Sequence, residues 1–488
     1  CSLAGHLKLG KLIVFYDENR VSIDGSTDIT FSENIAKRYE SYGWQVLKGS
    51  MYKPNEIVKL TEKAKKCKDK PTLIMLKSVI GYSAPKAGTP DVHGAPLGAD
   101  GVKAAKEYLG LPADKDFYVL PEAYKYFEDK KAEFAAEQEA WNNTFEAWSQ
   151  ENPELRKQWD AFYSDKPTAE VADVEFGATD KMATRAAGGK VLNMMVDRYA
   201  NMVGGSADLA GPNKTDLKNG NGIYSAENPL GRTVEFGIRE FAMSALCSGM
   251  RLHGGLRPFC ATFLVFADYL RPQLRVASLM KLPLIYIFTH DSIYVGEDGP
   301  THQPVEVLAS LRAIPGVQVL RPGDAQETVE AWKMAMESTD HPVCIVLTRQ
   351  DLQGYEKEDS SWKENIQKGA YIAKKGTDNP EITVLATGSE VSMAIEAANM
   401  VSDKNIRVVS VLDYNKFDDM EKAEQDALIG GAKRVVCAEA GISANWKAYA
   451  TSKADLFCID RFGESGPANK VAEHLGFTAS KLSEELKK

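Results

Sequence analysis

Short, unbroken apolar runs recur along this chain, at residues 12–16, 72–76, 284–289, 343–348, 382–387, 408–412 and 435–439. They do not alternate apolar with polar, so the strands they form are covered on both faces, as in a parallel sheet. Stretches with a helical period, at 54–66, 184–199, 239–252, 263–279 and 391–401, fall between such runs. Strand, helix, strand in succession gives an α/β chain with parallel sheets flanked by helices.

The pattern divides the chain. Strands at 12–16, 44–47 and 72–76 with a helix at 54–66 form a first α/β domain, 1–104. That pattern opens mid-domain, so more of the sheet is expected upstream of Cys1. Residues 105–177 are rich in Ala, Glu, Lys, Trp and Phe and poor in β-branched runs. They read as a helical linker, with amphipathic helices at 130–145 and 154–162. A second α/β domain spans 178–356 and a third 357–488.

Composition excludes several functions. The net charge of −9 argues against a dedicated nucleic-acid binder, which needs a basic face. No apolar run approaches the roughly 18 residues of a membrane span. The seven cysteines are scattered without a C-x-x-C, which points to reduced thiols and a cytoplasmic setting. No histidine pairs with cysteine at zinc-ligand spacing.

The richest polar segment is 290–304, His-Asp-Ser-Ile-Tyr-Val-Gly-Glu-Asp-Gly-Pro-Thr-His-Gln-Pro. It follows a buried strand, where ligands of open α/β sheets gather. It reads either as a catalytic or binding loop or as a polar turn whose acids and histidines cap helices.

This segment resembles the signature of transketolases, thiamine-diphosphate enzymes that move two-carbon ketol units. Other stretches are similar to family blocks in the same order. They are the loop Gly88-Thr89-Pro90-Asp91-Val92-His93-Gly94-Ala95-Pro96-Leu97, then Gly204-Gly205-Ser206-Ala207-Asp208-Leu209 and Gly237-Ile238-Arg239-Glu240. Ala386-Thr387-Gly388-Ser389-Glu390 and Phe462-Gly463-Glu464-Ser465 complete the set. The resemblance implies a multi-domain thiamine-diphosphate-binding fold with diphosphate-binding, pyrimidine-binding and C-terminal domains. The implied reaction moves a ketol unit from a ketose phosphate, such as xylulose 5-phosphate, to an aldose phosphate through a thiamine-diphosphate carbanion. Implied partners are sugar phosphates and a second copy of the chain, with active sites at the interface of a homodimer in the pentose phosphate pathway.

Residue roles follow by the same resemblance, beside plainer readings. Glu240 lies in an apolar stretch, 236–252, and by spacing is a salt-bridge partner of Arg239 or Arg251; the family's glutamate protonates the aminopyrimidine. Phe263, Phe266 and Tyr269 recur every three residues as one helix stripe, otherwise core packing, and match the aromatics on the aminopyrimidine. Asn19 and the Val21 carbonyl, otherwise turn chemistry, match ligands of Mg²⁺, with Ca²⁺ or Mn²⁺ as alternatives. Ile80 and Asp208 match residues beside the thiamine. His93 and His302 match histidines that bind sugar hydroxyls and move protons. Asp298 matches the acid that reads a hydroxyl, and Arg185, His290 and Arg349 the cationic group that holds the terminal phosphate.

Three departures stand out. The family's Gly-Asp-Gly motif, source of a third metal ligand, does not occur in this sequence; it and three family histidines are expected upstream of residue 1. The family usually has a serine near Pro212 that touches phosphate, and here Gly211-Pro212-Asn213 occupies that turn. Tyr294 is bulkier than the usual residue and is expected to narrow the substrate channel. Two alternatives remain at this point: a non-catalytic transketolase-like module, and a dihydroxyacetone synthase with formaldehyde as acceptor. Intact Arg185, His290 and Arg349 favour phosphorylated sugars over the latter.

Overall fold

A computed structural model of the chain describes residues 1–164 and 174–488. The stretch 165–173 of the expected linker lies outside the described residues. The described chain divides into two compact units, 1–153 with 225–227, and 154–224 with 228–488.

In the first unit, β1 (Ile13–Glu18), β2 (Gln45–Ser50) and β3 (Thr72–Lys77) form a parallel sheet in the order β1–β3–β2. The central strand explains its unbroken apolar run. Leu73 and Met75 join Trp44 and Ala36 on one face, while Ile74 and Leu76 join Leu47 and Ala64 on the other. Ala64 belongs to α1 (Pro54–Lys66), which starts on a proline and ends on lysines that suit its negative end. The helix expected at 130–145 is longer: α2 runs Pro121–Glu151, and α3 (Pro153–Tyr163) restarts on a proline after Asn152.

Among its described residues the second unit holds two five-stranded sheets and a two-stranded antiparallel pair, Lys181–Met182 with Leu352–Gln353. The first contains β4 (Met202–Ser206), β5 (Arg257–Phe263), β6 (Ile285–Thr289), β7 (Gln318–Leu320) and β8 (Val343–Val346). Their order is β7–β8–β6–β5–β4, parallel throughout. Helices α4 (Thr184–Arg198), α5 (Glu240–His253), α6 (Ala267–Leu279) and α7 (Ala325–Glu337) cover it. Again neighbouring residues serve opposite faces. Ile285 and Ile287 pack with Phe259 and Trp332, whereas Tyr286 and Phe288 pack with Met243, Cys260 and Leu270.

Strand β5 was not expected from the sequence, because Arg257, Pro258 and small residues break its apolar run. Gly204 and Gly205 in β4 are required by close approach. A Cβ on either would sit 2.1 Å from a backbone oxygen, of Phe259 and Val234 respectively.

The last sheet contains β9 (Ala370–Lys374), β10 (Ile382–Ala386), β11 (Ile406–Val411), β12 (Arg434–Glu439) and β13 (Leu456–Cys458), in the order β9–β11–β10–β12–β13. Only its edge strand β9 is antiparallel, to β11. Helix α8 (Glu390–Asn399) packs on it, and one apolar cluster runs from Trp332 and Leu320 through Tyr371 to Val384 and Val408. Among the described residues no helix is long and apolar enough to cross a membrane.

Candidate active site

Asp208, Phe263 and His290 stand at or just beyond the ends of β4, β5 and β6, the ligand-binding edge of a parallel sheet. Two non-glycine residues there have left-handed backbone, Asp208 beyond β4 (φ 60°) and His290 directly after β6 (φ 61°). Such backbone persists only when its surroundings impose it, and it clusters at functional sites.

Strand β5 ends at Phe263 and a 3₁₀ turn, Leu264–Phe266, leads into α6. The expectation of a single helix stripe is therefore corrected: Phe263 ends a strand, Phe266 closes the 3₁₀ turn and Tyr269 lies on the helix. The rings still line up, because a 3₁₀ turn places residues three apart above one another. Phe263 and Phe266 are stacked at 5.9 Å between centroids, and Phe266 and Tyr269 at 6.0 Å. Phe263 also stacks on His290 at 3.6 Å, and the edge of His302 meets Phe266 at 5.4 Å. Tyr269 is exposed.

A buried chain of hydrogen bonds sets the state of His290. Asn213 Nδ2 donates to Ser206 Oγ (3.0 Å), and the Thr289 hydroxyl donates to Asn213 Oδ1 (2.5 Å). The single hydroxyl proton of Thr289 is thereby used. Its 2.8 Å contact with His290 Nδ1 requires Nδ1–H to donate, which leaves the lone pair on Nε2. Burial, then the charges of Arg185 and Arg349, push the imidazole pKa down to about 3. His290, expected as part of a cationic group, is thus a neutral ring.

The cations are Arg185 and Arg349, and two threonines bring them together. Thr184 N–H donates to Thr348 Oγ1 (3.1 Å), and Thr348 N–H to Thr184 Oγ1 (2.8 Å), both threonines being fully buried. Each arginine follows one of these threonines. Burial and the like charge of Arg349 lower the Arg185 pKa. Arg185 Nη1 donates to the Pro212 carbonyl (2.9 Å), which positions the arginine.

Glu240 does not lie inside a helix begun at 236; it opens α5 at its first position and is buried. A carboxylate there faces the positive end of the helix. It is not in an ion pair among the described residues, so the expected salt bridge to Arg239 or Arg251 is not what places it. Helix α5 packs on α6, which carries Tyr269.

Loop 290–304 is held at several points. Asp291 Oδ2 accepts a hydrogen bond from Nε of fully buried Arg321 (2.9 Å), whose Nη2 completes the ion pair at 2.8 Å from the same oxygen. Gln303 Nε2 donates to the carbonyls of Gly296 (3.0 Å) and Glu464 (2.9 Å). Tyr294 turns its hydroxyl to the Phe477 carbonyl (3.1 Å) and packs on the core. Asp298 is exposed, and His302 half-buried with its Nδ1 2.9 Å from Thr301 Oγ1.

The first unit holds the remaining residues. Asn19 Oδ1 accepts from Val21 N–H (3.0 Å) across Arg20, whose φ is 60°. This is the turn chemistry of the plainer reading. A carbonyl oxygen keeps a second lone pair, so the turn can still offer Asn19 Oδ1 as a hard oxygen donor. Ile80 is half-buried and its carbonyl accepts from Gly88 N–H (2.8 Å). His93 is exposed at the end of a short 3₁₀ turn.

Comparison with known proteins decides the family. The transketolase thiamine diphosphate binding domain matches residues 1–167, the transketolase pyrimidine binding domain 180–354, and the transketolase-like C-terminal domain 369–478. The transketolase of Treponema pallidum (strain Nichols) is 52% identical over 490 residues, covering 99% of this chain and 73% of that protein. The chain belongs to the transketolase family.

Transketolase from Leishmania mexicana superposes with a TM-score of 0.94 at 34% identity, over 99% of this chain and 72% of that one. A Pichia stipitis transketolase in complex with sedoheptulose 7-phosphate gives 0.93 at 35% identity, over 99% and 72%. This transketolase is therefore an enzyme of two-carbon ketol transfer, with a thiamine diphosphate binding domain. Sequence reasoning missed the residues behind its site: Thr184 and Thr348, Asn213 and Thr289, Arg321, and Gln303. The repeated dipeptide Thr-Arg, at 184–185 and 348–349, was the one available signal.

Proposed function

We propose that this transketolase moves a ketol unit from a ketose phosphate such as xylulose 5-phosphate to an aldose phosphate, with the residues of the strand-end cluster in distinct roles. Thiamine diphosphate, when bound, supplies the electron sink for carbon–carbon cleavage. Glu240, buried at a helix start and in no ion pair among the described residues, hydrogen-bonds the aminopyrimidine nitrogen through its carboxyl. The Phe263, Phe266 and Tyr269 stack offers an aromatic face to that ring. Ile80 would offer an apolar contact to the thiamine, and Asp208 a carboxylate for its cationic ring.

His302 and His93 bind sugar hydroxyls and accept or return protons, and Asp298 orients a hydroxyl. Arg185 and Arg349 hold the phosphate, with the neutral His290 beside them. Asn19 Oδ1 and the Val21 carbonyl hold a divalent cation, Mg²⁺ with Ca²⁺ or Mn²⁺ as alternatives. Both donors are uncharged hard oxygens, suited to a cation whose charge is met mainly by a diphosphate.

The reading extends to a homodimer, in which the metal-binding half of one chain serves the Glu240 half of the other. Residues 1–104 act as the diphosphate-binding domain, 105–177 as linker, 178–356 as the pyrimidine-binding domain and 357–488 as the C-terminal domain. The setting is the cytoplasmic pentose phosphate pathway.

One observation carries the proposal: the aromatic stack is in ring contact with both His290 and His302, so a ring stacked there lies beside the sugar-binding groups. The test is Glu240→Gln, with thiamine diphosphate and Mg²⁺ binding by calorimetry and transfer from xylulose 5-phosphate to ribose 5-phosphate by assay. Turnover should fall at least about 10²-fold, the usual scale of acid–base catalysis, while the cofactor still binds. Turnover at the parent rate would refute the role.

A further inference from the structure

The loop bearing Asp298 and His302 is fastened by the C-terminal domain. Gln303, 2% exposed, bridges the loop's own Gly296 carbonyl and the Glu464 carbonyl through one amide nitrogen. Ser465 Oγ donates to the Glu297 carbonyl at 2.6 Å. One turn thus holds the loop at two points: its Glu464 carbonyl accepts from the Gln303 side chain, and its Ser465 hydroxyl bonds the Glu297 carbonyl directly before Asp298.

The packing leaves no slack. A Cβ on Gly463 would lie 1.7 Å from Gln303 Oε1, so only glycine lets the Gln303 amide reach across. A Cβ on Gly299 would meet Ser465 Cβ at 3.1 Å, and one on Gly296 would meet Gly466 O and Ala468 N at 3.3 Å. Gly296 and Gly299 have φ of 86° and 75°. The loop needs its glycines both for the turn and for contact with the clamp.

From this geometry we infer that Gly463, Ser465 and Gln303 are positioning residues that set Asp298 and His302 for the sugar hydroxyls. The C-terminal domain thereby determines sugar recognition without touching the sugar. The inference rests on the roles proposed above for Asp298 and His302. The phosphate-binding arginines are held separately, by Thr184 and Thr348. Loosening the clamp therefore weakens recognition of the sugar and spares recognition of phosphate. A general loss of structure would weaken both.

The experiment titrates ribose 5-phosphate and, separately, inorganic phosphate into the full chain, its Gly463→Ala and Ser465→Ala variants, and the conservative Ser465→Thr. Hydrogen exchange of amides 296–302 is followed alongside. Gly463→Ala is expected to weaken ribose 5-phosphate at least about tenfold, a modest part of what an ångström of misplacement can cost. Ser465→Ala, losing one hydrogen bond, should weaken it about 2–10-fold, and Ser465→Thr should restore it. Inorganic phosphate should stay within twofold, and exchange at 296–302 should rise. Equal losses for both ligands, or none for either, would overturn the inference. A parent chain that binds ribose 5-phosphate no more tightly than phosphate would instead sink the hydroxyl-reading roles of Asp298 and His302, and the clamp's function with them.

Discussion

Replacing Arg321 by methionine tests the buried support of the site. Arg321 is fully buried and makes ion pairs to two carboxylates, Asp291 and Glu390, while its Nη1 also donates to the Thr387 carbonyl at 2.9 Å. Methionine fills much of the same space without the charge. Removing one partner of a buried ion pair costs about 3–5 kcal/mol, because the other charge is left unpaired in a poor solvent. At about 2–4 °C per kcal/mol for a domain of 150–250 residues, the melting temperature of the pyrimidine binding domain at 180–354, which holds Arg321, should fall by about 6–20 °C at pH 8.

The pH dependence has a definite sign. Burial already raises the Glu390 pKa even beside Arg321, and removing the cation raises it further. A carboxyl whose folded pKa is raised favours folding as pH drops through that value, so the loss should shrink at pH 5.5. The double variant Arg321→Met/Glu390→Gln should recover part of the loss at pH 8. The assay is thermal unfolding followed by near-ultraviolet circular dichroism, which reports the buried Trp332 and Trp446. A drop below about 2 °C at pH 8, against the steps expected from such a loss, or equal drops at both pH values, would refute the reasoning.

Other expectations are more local. The folded chain holds His290 neutral, with a pKa of about 3. Its contribution to stability is complete above about pH 6.5 and declines as pH falls toward 3. Between pH 6.5 and 5 this amounts to at most about 2 kcal/mol, and His290→Gln should flatten that part of the urea-midpoint profile; an unchanged slope would show that another group titrates. Gly204→Ala forces a Cβ to 2.1 Å from the Phe259 carbonyl, so it should part β4 from β5 and yield insoluble protein. Recovery of a soluble variant with the parent melting temperature would contradict that packing. Phe266→Leu removes the middle ring of the stack and should weaken thiamine diphosphate about 2–10-fold by calorimetry, the worth of one aromatic pair. Unaltered affinity would place the cofactor elsewhere.

Much of the fold was legible because burial on both faces leaves a mark in one dimension. Leu73, Ile74, Met75 and Leu76 had to be apolar without a break, since successive side chains enter different cores. The helix at 54–66 was readable in full from its proline start and its lysine end. Strand β5 was not, because Arg257-Pro258 and the small residues Cys260, Ala261 and Thr262 carry little apolar signal; sheet pairing on both sides makes it a strand. The three-residue spacing of Phe263, Phe266 and Tyr269 reads along the chain as one helix. A strand end, a 3₁₀ turn and a helix start share that spacing for a short distance, and only the backbone tells them apart.

The sequence by itself determined the α/β class, the family and which residue types are available for chemistry, because these depend on local pattern and ordered motifs. Only the tertiary structure decided the state of those residues. The tautomer of His290 depends on a hydroxyl at Thr289 whose proton is committed to Asn213, far away in sequence, and its neutrality on burial beside Arg185 and Arg349. The pairing of Arg185 with Arg349 depends on two threonines 164 residues apart. The setting of Asp298 and His302 depends on a turn of another domain, at Gly463–Ser465. Hydrogen-bond direction, burial and like-charge proximity arise between segments that meet only on folding, so no reading along the chain contains them.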